Sequence, residues 1–139
     1  MIYKRFANKI VIRLLKGDKL VESLHEVFDK EDIKAGSITG LGAVNKLDIG
    51  FFNPSTKSYK PIIFEENMEV TNLVGNVSRK DGEVYTHLHI VCGREDASTV
   101  SGHLNEAWIS LTAEIFVDVL DGEIGRKFDS DLGINIMDL

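Results

Sequence analysis

"MEVTNLVGNVSRKDGEVYTHLHIVCG", residues 68–93, decides how this chain folds. Val70, Thr71, Val74 and Val77 precede an Asp81-Gly82 pair, and Val84, Tyr85, Thr86, Ile90 and Val91 follow it. β-branched and aromatic side chains suit a pleated, half-buried surface. An Asp-Gly pair between two such runs favours the tight turn of an antiparallel hairpin. Side chains alternate along a strand. The second arm therefore turns Tyr85, His87, His89 and Val91 to one face, and Thr86, Leu88, Ile90 and Cys92 to the other. The second set reads as core.

Working outward, "KLDIGFF" (46–52) and "KSYKPIIFEE" (57–66) read as another hairpin around Asn53-Pro54-Ser55-Thr56. Before it, "GSITGLGAV" (36–44) spaces Gly36, Gly40 and Gly42 in a way that invites a phosphate-loop reading. A phosphate loop needs Lys and a hydroxyl residue directly after its last glycine, and Ala43-Val44 stand there instead. The dinucleotide fingerprint needs a third glycine opening a helix, and here a strand follows. These glycines are expected to permit bulges or close backbone approach inside a sheet.

"NKIVIRLLKGD" (8–18) reads as the first strand. In "KLVESLHEVFDKEDI" (19–33), Leu20, Leu24, Val27 and Phe28 recur at helical spacing, and Asp18 stands where a carboxylate N-cap belongs. His25, at the edge of that stripe, is assigned to no site. Downstream, "VSGHL" and the strongly apolar "AWISLTAEIFVDVL" are extended, and the tail from Gly122 offers a last short strand. One main helix and about seven strands imply an α+β fold with an antiparallel-rich sheet, in a single domain over residues 1–139. "AWISLTAEIFVDVL" is apolar on both faces, so one face should meet the core and part of the other a neighbouring subunit.

A chain of 139 residues with 43% hydrophobic and 27% charged residues suits one globular core. No apolar run reaches the roughly 20 residues that span a bilayer. The N-terminus alternates charged and apolar residues, unlike a secretory signal, so no membrane is expected and the cytoplasm is. The lone Cys92 excludes an internal disulfide and fits a reducing compartment. A net charge of −6 argues against autonomous DNA binding, which needs Lys and Arg against phosphates. Lys4, Arg5, Lys9, Arg13 and Lys16 are the local exceptions, and they read mainly as solvated strand and rim charges.

Three of the four histidines lie between residues 86 and 104. His87 and His89, one pleat apart, form a two-point clamp for a transition metal. His103 would complete three nitrogen ligands and leave a fourth position open, the arrangement of catalytic zinc. The alternative is a pair of polar residues facing solvent or a subunit interface, with His103 bonded to a turn. Spacing alone leaves both open. Glu69 and Glu114 are the general-base candidates, but no catalytic residue is assigned, and the sequence does not decide whether the protein is an enzyme.

"SITGLGAVNKLDIGFFNPSTKSY", the opening stretch and "SGHLNEAWISLTAEIFV" together resemble, in order and spacing, the PPC (plants and prokaryotes conserved) domain. The resemblance runs from about Arg13 to the C-terminal "GRKFDSDLGINIMDL". It implies an α+β domain assembling as a homotrimer. It also implies that His87, His89 and His103 form a metal site, with zinc the expected ion. Ser101 stands where the family commonly has the first of two glycines, a small change. Plant members join the domain to AT-hooks and bind A·T-rich DNA. The Arg-Gly-Arg-Pro core of an AT-hook is absent here, so any DNA binding should be weak and non-specific. Three function classes follow: a metal-binding trimer holding or processing a small ligand, a DNA-associated protein, or a protein-interaction module.

Overall fold

A computed structural model describes residues 1–139. The hairpin that opened the reading is β5 (Met68–Lys80) and β6 (Glu83–Gly93), paired through Lys80↔Glu83. Its turn holds Asp81 at φ 53° and Gly82 at φ 88°, the left-handed pair that an Asp-Gly sequence favours. The other elements are β1 (Ile2–Phe6), β2 (Lys9–Leu15), α1 (Leu20–Lys30), β3 (Gly36–Asn53), β4 (Ser58–Phe64), β7 (Thr99–Val119), β8 (Gly125–Asp129) and β9 (Ile134–Asp138).

Seven strands form one antiparallel sheet in the order β1-β2-β7-β6-β5-β3-β4, and β3 also pairs with β7. The path β7–β6–β5–β3 thus returns to β7 and closes on itself. One cluster of 25 buried residues fills it, and Leu20, Leu24, Val27 and Phe28 of α1 belong to that cluster. Each of these side chains contributes about 1.5–3 kcal/mol by leaving water. β8 and β9 make a separate hairpin beside β5.

The α+β expectation holds, with refinements. A strand, β1, precedes the one expected first. The two extended segments after residue 99 are one 21-residue strand, and the glycine stretch and "KLDIGFF" are one 18-residue strand. Bulges let such long strands bend around a closed sheet, and the β3–β7 register shifts at Gly42/Val44, Val44/Lys46 and Asp48/Ile49. Gly42 shows the need: a Cβ there would lie 2.7 Å from Ala113 Cα. The tail forms a hairpin where one strand was expected.

Asp18 does not cap α1. The N-cap is Lys19, without a side-chain bond, and the Asp18 carboxylate accepts from Leu15 N–H and pairs with the N-terminal amine. The Glu106 carboxylate of β7 takes the cap's place, accepting from Val21 N–H at 2.8 Å and Glu22 N–H at 3.2 Å. At the other end, Arg79 donates to the Phe28 and Ile33 carbonyls, and to Asp29. A carboxylate at the N-terminus and a guanidinium at the C-terminus complement the helix dipole. The sheet holds its helix by both ends.

Candidate metal site

His87 and His89 leave β6 on the same outer face, while Leu88, Ile90 and Cys92 are buried beneath them. The β6–β7 register sets His103 directly opposite His89. Ring centroids lie 5.2 Å apart for His87–His89 and His87–His103, and 5.7 Å for His89–His103. One nitrogen from each ring lies within 4.8 Å of the others. Tetrahedral ligands at about 2.0–2.1 Å from zinc sit about 3.4 Å apart. The three nitrogens lie up to 4.8 Å apart, so binding would require the rings to draw together.

The donor set also fits chemically. Burial holds His87 below the ordinary histidine value, helped by His103, His89 and Arg126, and burial with His89 lowers His103. Both are therefore neutral at pH 7, the form that ligates a metal. Cys92 is fully buried and its thiol is pushed up to about 11, so it is neither ligand nor nucleophile. His25 points elsewhere, its Nε2 3.0 Å from Thr86 Oγ1.

The imidazoles open into a cleft of about 700 Å³ whose walls include Phe52, Tyr59, Tyr85, Ser101, Ile134 and Asn135. Gly50, opposite His103 in the β3–β7 register, matters to one wall. A Cβ there would lie 2.0 Å from Tyr59 Cζ, so only glycine lets the Tyr59 ring cross the sheet. That ring stands edge-on to His103 at 6.1 Å. Its hydroxyl donates to Asn105 Oδ1 at 2.5 Å, and Asn105 Nδ2 donates to Asp48 at 2.8 Å. Tyr59 therefore offers the cleft its ring while its proton is committed to Asn105.

Neither general-base candidate reaches this cleft. Glu69 pairs opposite Gly93, at the far end of β6, and Glu114 stands opposite Arg13. Tyr59 and Arg126 went unassigned in the sequence. Tyr59 reaches the cleft across two strand pairings, and the C-terminal hairpin sets Arg126 beside it, over Tyr85; neither route leaves a local spacing signal.

The family model of the Plants and Prokaryotes Conserved domain, abbreviated PCC or PPC, matches residues 1–121. No curated protein matches the chain. Among solved structures, a Bacteroides thetaiotaomicron protein provisionally labelled DNA-binding is 39% identical, with a TM-score of 0.96 over 99% of this chain and 96% of that one. A metal-containing protein from Archaeoglobus fulgidus is 30% identical, with a TM-score of 0.88 over 98% of this chain and 97% of that one. A plant- and prokaryote-conserved protein from Pyrococcus horikoshii is 31% identical, with a TM-score of 0.87 over 99% of this chain and 94% of that one.

Proposed function

The chain belongs to the Plants and Prokaryotes Conserved domain family, and from that premise we propose that it is a homotrimeric metal-binding protein whose His87, His89 and His103 hold one zinc ion. The observation that carries this reading is the convergence of three imidazoles on one face, with nitrogens within 4.8 Å of one another. The metal-containing relative from Archaeoglobus supports it. A zinc ion there, when bound, would lower the pKa of a coordinated water or polarise a carbonyl. The chain's own part is to orient the imidazoles from a rigid hairpin, to wall the cleft with Tyr59 and Tyr85, and to keep Cys92 out of reach. Replacing His103 with Ala should remove the metal and leave the fold intact. Metal content unchanged in that variant would contradict the assignment.

Assembly rests on side chains in register on the outer face of β2, β7, β3 and β5: Val11, Phe116, Thr39 and Val74. Phe116 is 53% exposed and Val74 45%, and Leu111 and Leu41 lie exposed nearby in the chain. Exposed apolar side chains gathered in this way mark an interface. Light scattering should return three times the chain's 15.5 kDa. A monomer mass at micromolar concentration would contradict it. We read residues 1–139 as one domain around the 25-residue cluster, and we place the protein in the cytoplasm on the strength of its single buried thiol.

The DNA label on the Bacteroides relative supports a second reading. Here Arg5 pairs with Glu31 and Lys9 with Asp118, which leaves Lys4, Arg13 and Lys16 of the basic patch for phosphates. Three copies would triple a charge of −6. Binding near physiological salt is expected to be no tighter than about 10⁻⁶ M, with no preference for A·T-rich duplex. Sub-micromolar, sequence-selective binding in fluorescence anisotropy would put the DNA reading first.

A further inference from the structure

The chain has 22 acidic residues, yet no Asp or Glu lines the histidine cleft. Three imidazoles are neutral ligands, so they would leave the full double charge of a divalent ion uncompensated. Half of the fourteen lining residues are hydrophobic, and polar groups suited to a multiply charged phosphate are few. The charge pattern calls for an anion, and the walls call for an apolar body.

The C-terminal hairpin adds a second positive group. Residue Ile124, at its base, is tied to the sheet through Arg79 N–H to the Ile124 carbonyl at 2.9 Å. Lys57 Nζ, in the β3–β4 turn, donates to the Ser130 carbonyl between its strands at 2.9 Å. Strapped across the sheet in this way, it brings Ile134 and Asn135 to the cleft wall. It also sets Arg126 over the Tyr85 ring at 4.9 Å. Arg126 Nε donates to Ser78 Oγ at 2.9 Å and Nη2 to Asn76 Oδ1 at 2.6 Å. Ser78 and Asn76 are the cross-strand partners of Tyr85 and His87, so the guanidinium lies on the histidine face. Arg126 does not itself line the cleft but stands over Tyr85, which does, and its Nη1 makes no hydrogen bond within the chain, leaving a donor for an anion at that margin. Other hollows differ in kind: one of about 810 Å³ is lined by Arg5, Asp32, Lys34, Asp121 and Glu123, charges of both signs.

We propose that the cleft takes a small organic carboxylate with an apolar or aromatic body, its head drawn to the metal and to Arg126 and its body lying between Tyr59, Tyr85 and Ile134 of the C-terminal hairpin. This rests on the metal reading above. The hairpin is the specificity wall, and Arg126 is its charged element.

The test uses full-length protein loaded with cobalt(II), whose visible absorption reports ligands entering the metal's open position without any need for turnover. Phenylacetate should shift the spectrum and bind at least about tenfold more tightly than acetate, which lacks the body. 2-Phenylethylamine and 2-phenylethanol, matched in shape, should not bind. Arg126→Gln should weaken phenylacetate about tenfold with cobalt content unchanged, and Arg126→Lys should recover part of the loss. Ile134→Asp, which leaves Arg126 and its hydrogen bonds in place, should weaken phenylacetate as well. Equal binding of the amine or alcohol, tighter binding of inorganic phosphate, or full affinity in folded Arg126→Gln and Ile134→Asp proteins would overturn the proposal. Protein that takes up no cobalt contradicts the metal reading, and this inference with it. Protein that takes up cobalt but ignores phenylacetate contradicts this inference alone.

Discussion

Arg79 and Arg126 make opposite use of the same side chain. Arg79 closes the helix side of the molecule: it gives four hydrogen bonds, to the Ile33, Phe28 and Gly82 carbonyls and to Asp29, and its side chain is only 10% exposed. Arg126 serves the histidine face with two bonds and a nitrogen left over. The helix side also balances its charges, with Glu106 at one end of α1 and Arg79 at the other. The histidine face gathers donors with no carboxylate among them. Satisfied polar groups in one region make a scaffold, and unsatisfied ones in the other make a site.

The largest expected effect separates the two regions. Arg79→Ala strands the Phe28 and Ile33 carbonyls at the helix end, so urea unfolding should show a loss of about 2–4 kcal/mol. Metal content per folded chain should not change. His103→Ala should do the reverse, lowering zinc affinity more than about 100-fold while moving stability by less than about 1 kcal/mol. If either variant damaged both properties equally, the division between scaffold and site would fail. Next comes Glu106→Ala, which uncaps α1. It should cost about 1–2 kcal/mol by the same unfolding measurement, again with the metal retained.

Acid sharpens the comparison further. His87 and His103 take up protons less readily than free histidine, so protons should displace the metal only as pH falls below roughly 6.5. For the metal-free chain the sign is also fixed. A histidine held below its unfolded value costs nothing above that value and destabilises the fold as pH falls through it. Melting of the metal-free protein should therefore drop below pH 6.5, less so in His103→Ala. The smallest effect belongs to Tyr59→Phe, which removes one exposed hydrogen bond to Asn105 and should cost no more than about 1 kcal/mol.

These contrasts also show what a sequence carries. The β5–β6 hairpin, its Asp81-Gly82 turn and the shared face of His87 and His89 follow from alternation and turn chemistry, which act over a few residues. The approach of His103 depends on the β6–β7 register, set across the loop from Gly93 to Thr99, which alternation within one strand does not fix. Family resemblance supplied that residue where periodicity left it open. The helix cap was misplaced for the same reason: Asp18 has the right chemistry next to α1, but Glu106 reaches Val21 from 85 residues away. Glu69 and Glu114 looked equally plausible as bases until the fold set them apart from the histidines. Arg126 is a residue of the tail beyond the family-matched segment, and nothing near it in the chain marks it as a neighbour of His87.

The central claim is that His87, His89 and His103 hold a metal. The direct measurement is metal analysis of protein purified without a histidine tag, dialysed against zinc at neutral pH and then freed of excess. About one zinc per chain, falling to near zero in His87→Ala, His89→Ala and His103→Ala proteins that still melt cooperatively, is the predicted result. Wild-type protein that retains no zinc, or single variants that retain as much as wild type, would contradict it.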